Sequence, residues 1–360
     1  MSDNERWLLR QVWLNPGISR SEITARSDLA QQSVHRILDQ LAERGIIALG
    51  DPKEGLGSGQ PSPMLTLRGD YAFTVGLSIN TDVLGICLLD MAGNLLGEAS
   101  VSLHGQPVEE ALSAADKKIS ALQKSRGLDA ERCFGIGCGI AGYYVGGTRY
   151  NASLPLHMWS LIELGPLISD FFGKPAWIHN GGSAGAVAEA LFGVGRYIQN
   201  FAYLSFNYGF GGGIVSGGEL LEGGNGNAGE YGPIFRNGPR PAMQYLMEKL
   251  KENGMSVTSI TRLQEEFRAD WTGAAEWVDD VAPHYNRMLD AIVGVFDPQA
   301  IVFGGQVPPA LAQMFIDRTD PPEDSRYGVP RLPAKLIISE IRGDAAALGA
   351  ASVPFKAEFF

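Results

Sequence analysis

Residues 206–232 read FNYGFGGGIVSGGELLEGGNGNAGEYG and contain 11 glycines in 27 positions. Glycine adopts positive φ and lets other groups approach the main chain closely, so such a run is either flexible filler or a series of tight turns around a ligand. The apolar pairs Ile214-Val215 and Leu220-Leu221 interrupt the glycines as short buried strands would. Because filler rarely carries such pairs, we expect turns that shape a binding site and end at Glu230.

Strand-like and helical patterns alternate on both sides of this stretch. Before it lie the strand-like runs 72–79, 83–90, 94–103, 133–140 and 175–179 and helical patterns over 108–122, 161–172 and 183–193. After it lie helical patterns over 243–251, 260–267, 275–296 and 344–351 and strands over 300–305 and 335–339. This alternation predicts an α/β body with mixed sheets, the second of which begins near Phe201.

Composition limits the class of protein. The chain has 360 residues, 45% hydrophobic and 19% charged, which suits a globular protein of two or three domains. Its apolar stretches are shorter than the roughly 18 to 20 residues of a membrane span, and MSDNERWLLR lacks the order of a signal peptide. Cys87, Cys133 and Cys138 form no CxxC pair, which argues against a disulfide framework or a zinc knuckle. We expect a cytoplasmic protein without a membrane partner.

The first seventy residues carry three helical patterns. The first ends before Pro16-Gly17, and the second, SRSEITARS (19–27), begins with Ser19 and Glu22 at the spacing of a capping box. The third, AQQSVHRILDQLAERG (30–45), turns its apolar residues to one face and stops at Gly45. Two strands, 46–49 and 64–67, then flank the loop GDPKEGLGSGQPSP (50–63). The order is that of a winged helix-turn-helix.

In such a module the third helix enters the DNA major groove, where Gln and Arg can pair with base edges. The predicted DNA contacts are therefore Gln31, Gln32, Ser33, His35 and Arg36 on that helix and Lys53 and Gln60 on the wing. Charge does not support DNA binding, because the net charge is −11 and residues 1–70 hold eight Lys/Arg against nine Asp/Glu. The alternative is a three-helix dimerisation or packing module whose polar face is merely solvated.

Four motifs of the body are distinctive: GLSINTDVLG (76–85), IHNGGSAGAVAEALFG (178–193), AGEYG (228–232) and FDPQAIVFGG (296–305). By these motifs the chain resembles the ROK family of repressors and sugar kinases over nearly its whole length. The resemblance implies a two-lobed, actin- and hexokinase-like (ribonuclease H-like) α/β body, and a winged helix-turn-helix in front is the arrangement of the family's regulators. In relatives the glycine-rich turns shape a sugar site and an adjacent nucleotide site.

The phosphate-binding motifs depart from those of the family's kinases. Kinases have Asp followed by x-Gly-Gly-Thr, whereas this chain has Ser78 and then Asn80-Thr81-Asp82. Backbone N–H groups cradle phosphate best where small residues allow close approach. The second nucleotide turn, Gly-Thr-Gly in kinases, is Asn207-Tyr208-Gly209 here, so a Tyr side chain could fill the space of a phosphate.

The catalytic base and the zinc ligands of relatives are also replaced. The family's catalytic Asp follows an Asn, but the pair here is Asn180-Gly181, and phosphoryl transfer needs a positioned base. Zinc-bearing relatives have a His where this chain has Pro233, followed by cysteines that RNGPRPAMQYL (236–246) lacks. We therefore expect no phosphoryl transfer, no bound metal and no cofactor.

Part of the family's set of sugar-binding residues is present in this chain. By the resemblance, Asn180 and Glu230 match positions that bind sugar hydroxyls, and His179 could supply a replacement donor. Ser153 and His157 belong to SLPLHMWSL (153–161), which borders the sugar in relatives. Alternatively, Glu230 is a turn-stabilising acid that accepts backbone N–H bonds, and Trp159 and His157 are structural.

The sequence thus predicts a transcriptional regulator, a repressor, that binds a double-stranded DNA operator as a homodimer or dimer of dimers and responds to a sugar or sugar derivative. The expected units are the DNA-binding domain (1–70), a first lobe (71–190 with the last helix, 343–360) and a second lobe (191–342). Two rivals stay open: an ATP-dependent sugar kinase with an added DNA-binding module, and a regulator that has lost its ligand response.

Overall fold

The computed structural model of the protein describes residues 1–52, 62–236, 238–320 and 326–360. In the described part of the first 67 residues, which we call the head, the elements are α1 (Asp3–Leu14), β1 (Ile18–Ser19), α2 (Arg20–Ala25), α3 (Gln31–Glu43), β2 (Ile47–Pro52) and β3 (Pro63–Leu67). The strands form an antiparallel sheet in the order β1-β3-β2. The head therefore has the predicted winged helix-turn-helix order, with β1 as an additional strand that is too short to leave a periodic pattern.

Local sequence determines where the head helices begin. Ser2 with Glu5 and Ser19 with Glu22 form reciprocal capping boxes, which satisfy backbone N–H groups at the starts of α1 and α2. The apolar face of α3 is buried, as its 3.6-residue spacing predicts. The buried residues of α3 are Val34, Ile37, Leu38 and Leu41.

The body begins with a five-stranded mixed sheet. The elements from this segment are β4 (Phe73–Ile79), β5 (Val83–Asp90), β6 (Leu95–Ser102), α4 (Val108–Arg126), β7 (Cys133–Ile140), β8 (Gly142–Gly146), β9 (Arg149–Ala152), α5 (Leu164–Phe172), β10 (Ala176–Asn180) and α6 (Gly181–Phe192). The sheet order is β10-β7-β4-β5-β6, in which β4, β7 and β10 run parallel and the β4-β5-β6 pairs are antiparallel. The strands β8 and β9 pair as a separate hairpin beside its edge.

A second five-stranded sheet follows. Its segment contains β11 (Phe201–Phe206), β12 (Phe210–Ser216), β13 (Glu219–Leu220), α7 (Met243–Glu252), α8 (Ile260–Glu266), α9 (Ala274–Phe296), β14 (Ala300–Gly305), α10 (Pro309–Ile316), β15 (Lys335–Ile338) and α11 (Ala345–Glu358). The order is β13-β12-β11-β14-β15, with β11, β14 and β15 parallel. Most of the buried side chains of α7, α8, α9 and α10 pack in one core against this sheet.

Two helices, α6 and α11, lie between the sheets. Helix α11 packs on β4 and β7, and α6 packs on β12 and against α11. Glycine permits this closeness: a Cβ on Gly137 would lie 1.7 Å from the carbonyl oxygen of Ala350, and one on Gly349 would lie 1.8 Å from that of Ala184. The α/β body with two sheets confirms the predicted fold class.

The structure differs from the sequence prediction in particular elements. The helix expected over 161–172 begins at Leu164 because Leu161 adopts a φ of 63°, which a right-handed helix excludes. Leu221 lies outside β13 and is exposed, so only Leu220 of the pair Leu220-Leu221 belongs to a strand. The unit boundaries near residues 70, 190 and 342 stay predictions. Within the described ranges, no helix combines the length and hydropathy that a membrane crossing requires.

Candidate ligand site and DNA-binding helix

A cavity of about 740 Å³, here called the main cavity, opens between the β8–β9 hairpin, the start of α6 and the glycine-rich loop. Its polar lining residues include Ser153, Asn180, Glu230, Arg236, Arg240 and Gln244. The cavity is large enough for a small organic ligand and is lined by convergent polar groups, which is the usual character of a binding site. Three of the predicted ligand residues, Ser153, Asn180 and Glu230, therefore lie together.

Asn180 positions the cavity wall. Its Oδ1 accepts from the backbone N–H groups of Gly182 (2.7 Å) and Ser183 (3.0 Å), so it caps α6. Its Nδ2 donates to the carbonyl of Gly142 (2.7 Å) and to Oε1 of Glu230 (2.8 Å). These four bonds use the ordinary capacity of an amide, so Asn180 orients Glu230 in the present arrangement.

Glu230 reaches the cavity through the glycine turns. Gly229 has a φ of 89°, and a Cβ on it would lie 2.7 Å from Cα of Gly213, so glycine is required there. Burial raises the pKa of Glu230, while the hydrogen bond from Asn180 lowers it. Among the described residues no backbone N–H donates to this carboxylate, so the turn-stabilising alternative lacks the bonds it needs.

Ser153 supplies a further polar group, and this one has no partner among the described residues. Its Oγ is buried and makes no hydrogen bond within the described part of the chain. A buried hydroxyl without a partner costs free energy, and a ligand hydroxyl or a water would remove that cost. Ser153 directly follows the hairpin, is the N-cap residue of the 3-10 segment Leu154–Trp159, and lines the main cavity.

Neither predicted histidine lines the main cavity. His157 is exposed, with Nδ1 3.2 Å from the carbonyl oxygen of Leu154. His179 lies in β10, and burial lowers its pKa, which favours the neutral ring. Trp159 is a core side chain, as the structural alternative proposed. The geometry thus gives no support to His157 and His179 as ligand contacts.

Sequence reasoning missed two arginines in the cavity lining, Arg236 and Arg240. They follow a 3-10 turn (Gly232–Phe235) and precede α7, so no periodic pattern indicates where they point. The usable signal was composition: two guanidinium groups lie within five residues in a chain of net charge −11.

A second cavity of about 420 Å³ adjoins the first, and the two share Ser205 and Asn207 in their linings. It lies at the β4–β5 turn and also contains Glu98 and Asp344. Asp344 hydrogen-bonds with Ser78, and burial raises its pKa. Asp82 is buried beside this turn, and its Oδ1 has no partner among the described residues.

Gly181 stands at the junction of these cavities, at the start of α6. A Cβ there would lie 3.5 Å from the carbonyl of Ile140, which is an ordinary contact. A Cβ therefore fits at this position, and glycine leaves it without the carboxylate expected of a kinase. In the described ranges no cluster of three or more His, Cys, Asp or Glu side chains could hold a metal ion, and elemental analysis for zinc tests the prediction of a metal-free protein.

The predicted recognition helix presents a polar face. On α3, Gln31, Gln32 and Arg36 are exposed and Ser33 and His35 are half-buried. Arg36 makes one long side-chain contact, to Gln40 (3.4 Å), so its guanidinium retains free donors. Lys53 and Gln60, the predicted wing contacts, lie outside the described residues.

Comparison with known proteins agrees with both parts of the chain. Residues 74–354 match the model of the ROK family, and residues 1–48 match that of a winged helix-turn-helix DNA-binding module. Among curated relatives, the uncharacterized protein y4fQ of Sinorhizobium fredii is 26% identical and aligns with 100% of this chain and 92% of its own. The xylose repressor of Caldicellulosiruptor bescii is 22% identical over 96% of this chain and 94% of its own.

A solved structure shares the complete fold. The crystal structure described as a ROK family transcriptional regulator, a homolog of the E. coli MLC protein, superposes with a TM-score of 0.72 at 20% identity. The match covers 98% of this chain and 95% of that one. Since the family model spans most of the body and the head matches a DNA-binding module, this chain belongs to the ROK family.

Proposed function

We propose that the protein is a cytoplasmic, DNA-binding transcriptional regulator, a repressor, whose DNA affinity changes when a sugar or sugar derivative occupies the main cavity. The observation that carries the proposal is the combination of an exposed polar face on α3 with a polar cavity that contains Ser153 and Glu230. The name of the similar xylose repressor supports the same class of activity.

The cavity suits a polyhydroxylated ligand. Glu230 offers a carboxylate oxygen that accepts no bond from the described residues, and Ser153 Oγ is buried without a partner. Hydroxyl groups donate to the first and satisfy the second, so a sugar gains a charge-assisted bond at Glu230 and removes the cost of the unpaired Ser153 hydroxyl. Asn180 holds the carboxylate in place and acts as a positioning residue.

Kinase activity is the rival function, because the family includes sugar kinases. Three features argue against it: Gly181 lacks a carboxylate, Asn80-Thr81-Asp82 replaces the phosphate loop, and Glu98 and Asp344 line the second cavity. Carboxylates in that cavity repel a triphosphate, and a positioned base is missing.

DNA selection with the purified full-length chain tests the regulator. Enrichment from a random duplex library should give a pseudo-palindromic site with half-sites about one helical turn, or a multiple, apart, because we propose a homodimer or dimer of dimers. A sugar panel then should change the affinity for that site. Absence of any enriched sequence contradicts the DNA-binding function, and sugar-dependent ADP release in a coupled assay contradicts its non-kinase part.

A further inference from the structure

We infer that the ligand of the main cavity carries an acidic group, a carboxylate or a phosphate, which Arg236 and Arg240 bind. This inference rests on the proposed function, which places a sugar in the same cavity. It narrows the ligand class from sugars in general to sugars with an oxyanion.

The first support is that the guanidinium groups of Arg236 and Arg240 have no partner among the described residues. Both line the main cavity, yet within the described residues neither forms an ion pair or a side-chain hydrogen bond. Elsewhere in the chain arginines commonly have a carboxylate partner; examples are Arg68 with Asp70, Arg149 with Glu163 and Arg262 with Glu266. Two like charges on one cavity wall repel each other, and a bound anion removes that repulsion.

The second support is the separation of charges inside the cavity. Glu230 is the carboxylate in the lining, and in the described structure it pairs with Asn180 and with neither arginine. The acidic and basic groups are therefore separate binding points in the lining. A ligand with both hydroxyls and an oxyanion fits them, because carboxylate oxygens accept from hydroxyls and the planar guanidinium binds oxyanions through paired N–H groups.

The third support is size and neighbouring donors. At about 740 Å³ the cavity accommodates a monosaccharide together with an acidic substituent. Gln244, on the first turn of α7, lies in the same lining as the two arginines and adds an amide donor. Arg236 is exposed and Arg240 half-buried, so an anion reaches them without entering the core.

The test compares neutral sugars with their acids. Calorimetric titrations of the full-length protein use glucose, glucuronate and glucose 6-phosphate. The same titrations are made with galactose, galacturonate and galactose 6-phosphate. We expect at least one acid to bind about tenfold or more tightly than its neutral parent, as charge-assisted bonds of this kind allow. The pair of acids distinguishes carboxylate from phosphate as the preferred group.

The variant Arg236→Gln/Arg240→Gln should abolish the preference for the acid, so that the ratio of the acid's affinity to that of its neutral parent falls to about one. Both side chains lack described bonds, so the variant should fold, and Arg126→Gln at the exposed end of α4 is the matched control. Equal affinity for acid and neutral parent, or a preference that survives in the variant, overturns the inference and leaves the proposed function intact. If no sugar of the panel binds, neutral or acidic, both this inference and the proposed sugar response are wrong. The proposed DNA-binding function is tested separately by the DNA selection experiment.

Discussion

Asn180 and Glu230 have different roles in the structure, although the sequence predicts both as ligand contacts. The amide of Asn180 is fully used by the cap of α6, by Gly142 and by Glu230, whereas the Glu230 carboxylate has an oxygen to spare. Removal of Asn180 therefore affects helix stability and Glu230 orientation together, at a cap cost of about 1 kcal/mol. Glu230 is the cleaner position at which to test ligand binding.

We expect Glu230→Gln to weaken the ligand response by about tenfold to hundredfold, because a hydroxyl donor loses its charged acceptor, worth about 1 to 3 kcal/mol. The measurement is release of operator DNA against concentration of the effective ligand. The variant should not lose thermal stability at pH 7: burial raises the pKa of Glu230 above its unfolded value, so ionisation at neutral pH opposes folding. A wild-type response from a folded variant places the ligand elsewhere.

Gly181→Asp restores the carboxylate that kinases carry, and we expect a folded protein that still lacks phosphoryl transfer. A Cβ has room at this position, and an acid suits the start of α6. The carboxylates of Glu98 and Asp344 in the second cavity still disfavour ATP. Coupled ADP release with a panel of hexoses measures the outcome for wild type and variant. Turnover by the variant alone shows that the base was the one missing part.

At the scale of elements, α3 is exposed along the face that DNA recognition requires. Its apolar face holds it on the head core, and this orientation leaves Gln31, Gln32 and Arg36 in solvent. We expect Arg36→Ala to cost about 1 to 3 kcal/mol at one base pair of the operator and to relax the preference there. Competition with operator variants measures this, with Arg126→Ala on α4 as the control. Equal loss on every sequence means that Arg36 contacts phosphate.

The elements that the sequence predicted are those with a strong period or a capping signal. Helix α3 and strand β7 were predictable because their buried residues leave an apolar pattern in the sequence. The start of α2 was predictable because Ser19 and Glu22 have the spacing of a capping box. The β8–β9 hairpin was missed because β8 alternates between half-buried and exposed residues and β9 has one buried residue, Tyr150, so neither strand leaves an apolar pattern. Arg236 and Arg240 reach the cavity only through the fold of irregular chain between β13 and α7, which no local rule encodes.

At the scale of the whole molecule, α11 joins the cavities to the head. Its N-cap, Asp344, lines the second cavity, and Phe355 and Phe359 near its end lie in the hydrophobic cluster of the head. Trp13 of α1 also stacks on Phe360, with ring centroids 4.1 Å apart. Helix α11 packs along α6, whose cap Asn180 lies in the main cavity, so α11 connects the cavity wall with the core of the head.

Glu219 adds a polar link between three parts of the molecule. It lies on β13 of the second sheet and pairs with Arg10 of the head and, at 2.7 Å, with Lys356 of α11. A ligand changes DNA affinity only if the two conformations differ in such contacts. We therefore expect the charge on Glu219 to contribute to the coupling between cavity and head and not to ligand binding, since Glu219 lies outside the main cavity lining.

We expect Glu219→Gln to reduce the ratio of operator affinities measured without and with ligand, because both cations lose their shared carboxylate. The loss should amount to about fivefold or more, the lower end of ordinary coupling free energies. Ligand affinity of the DNA-free protein should stay the same, since Glu219 lies outside the main cavity lining. Glu276→Gln, which breaks the 2.8 Å pair between α9 and Lys249 of α7, is the control. An unchanged ratio in Glu219→Gln assigns the coupling to the aromatic contacts of α11 instead.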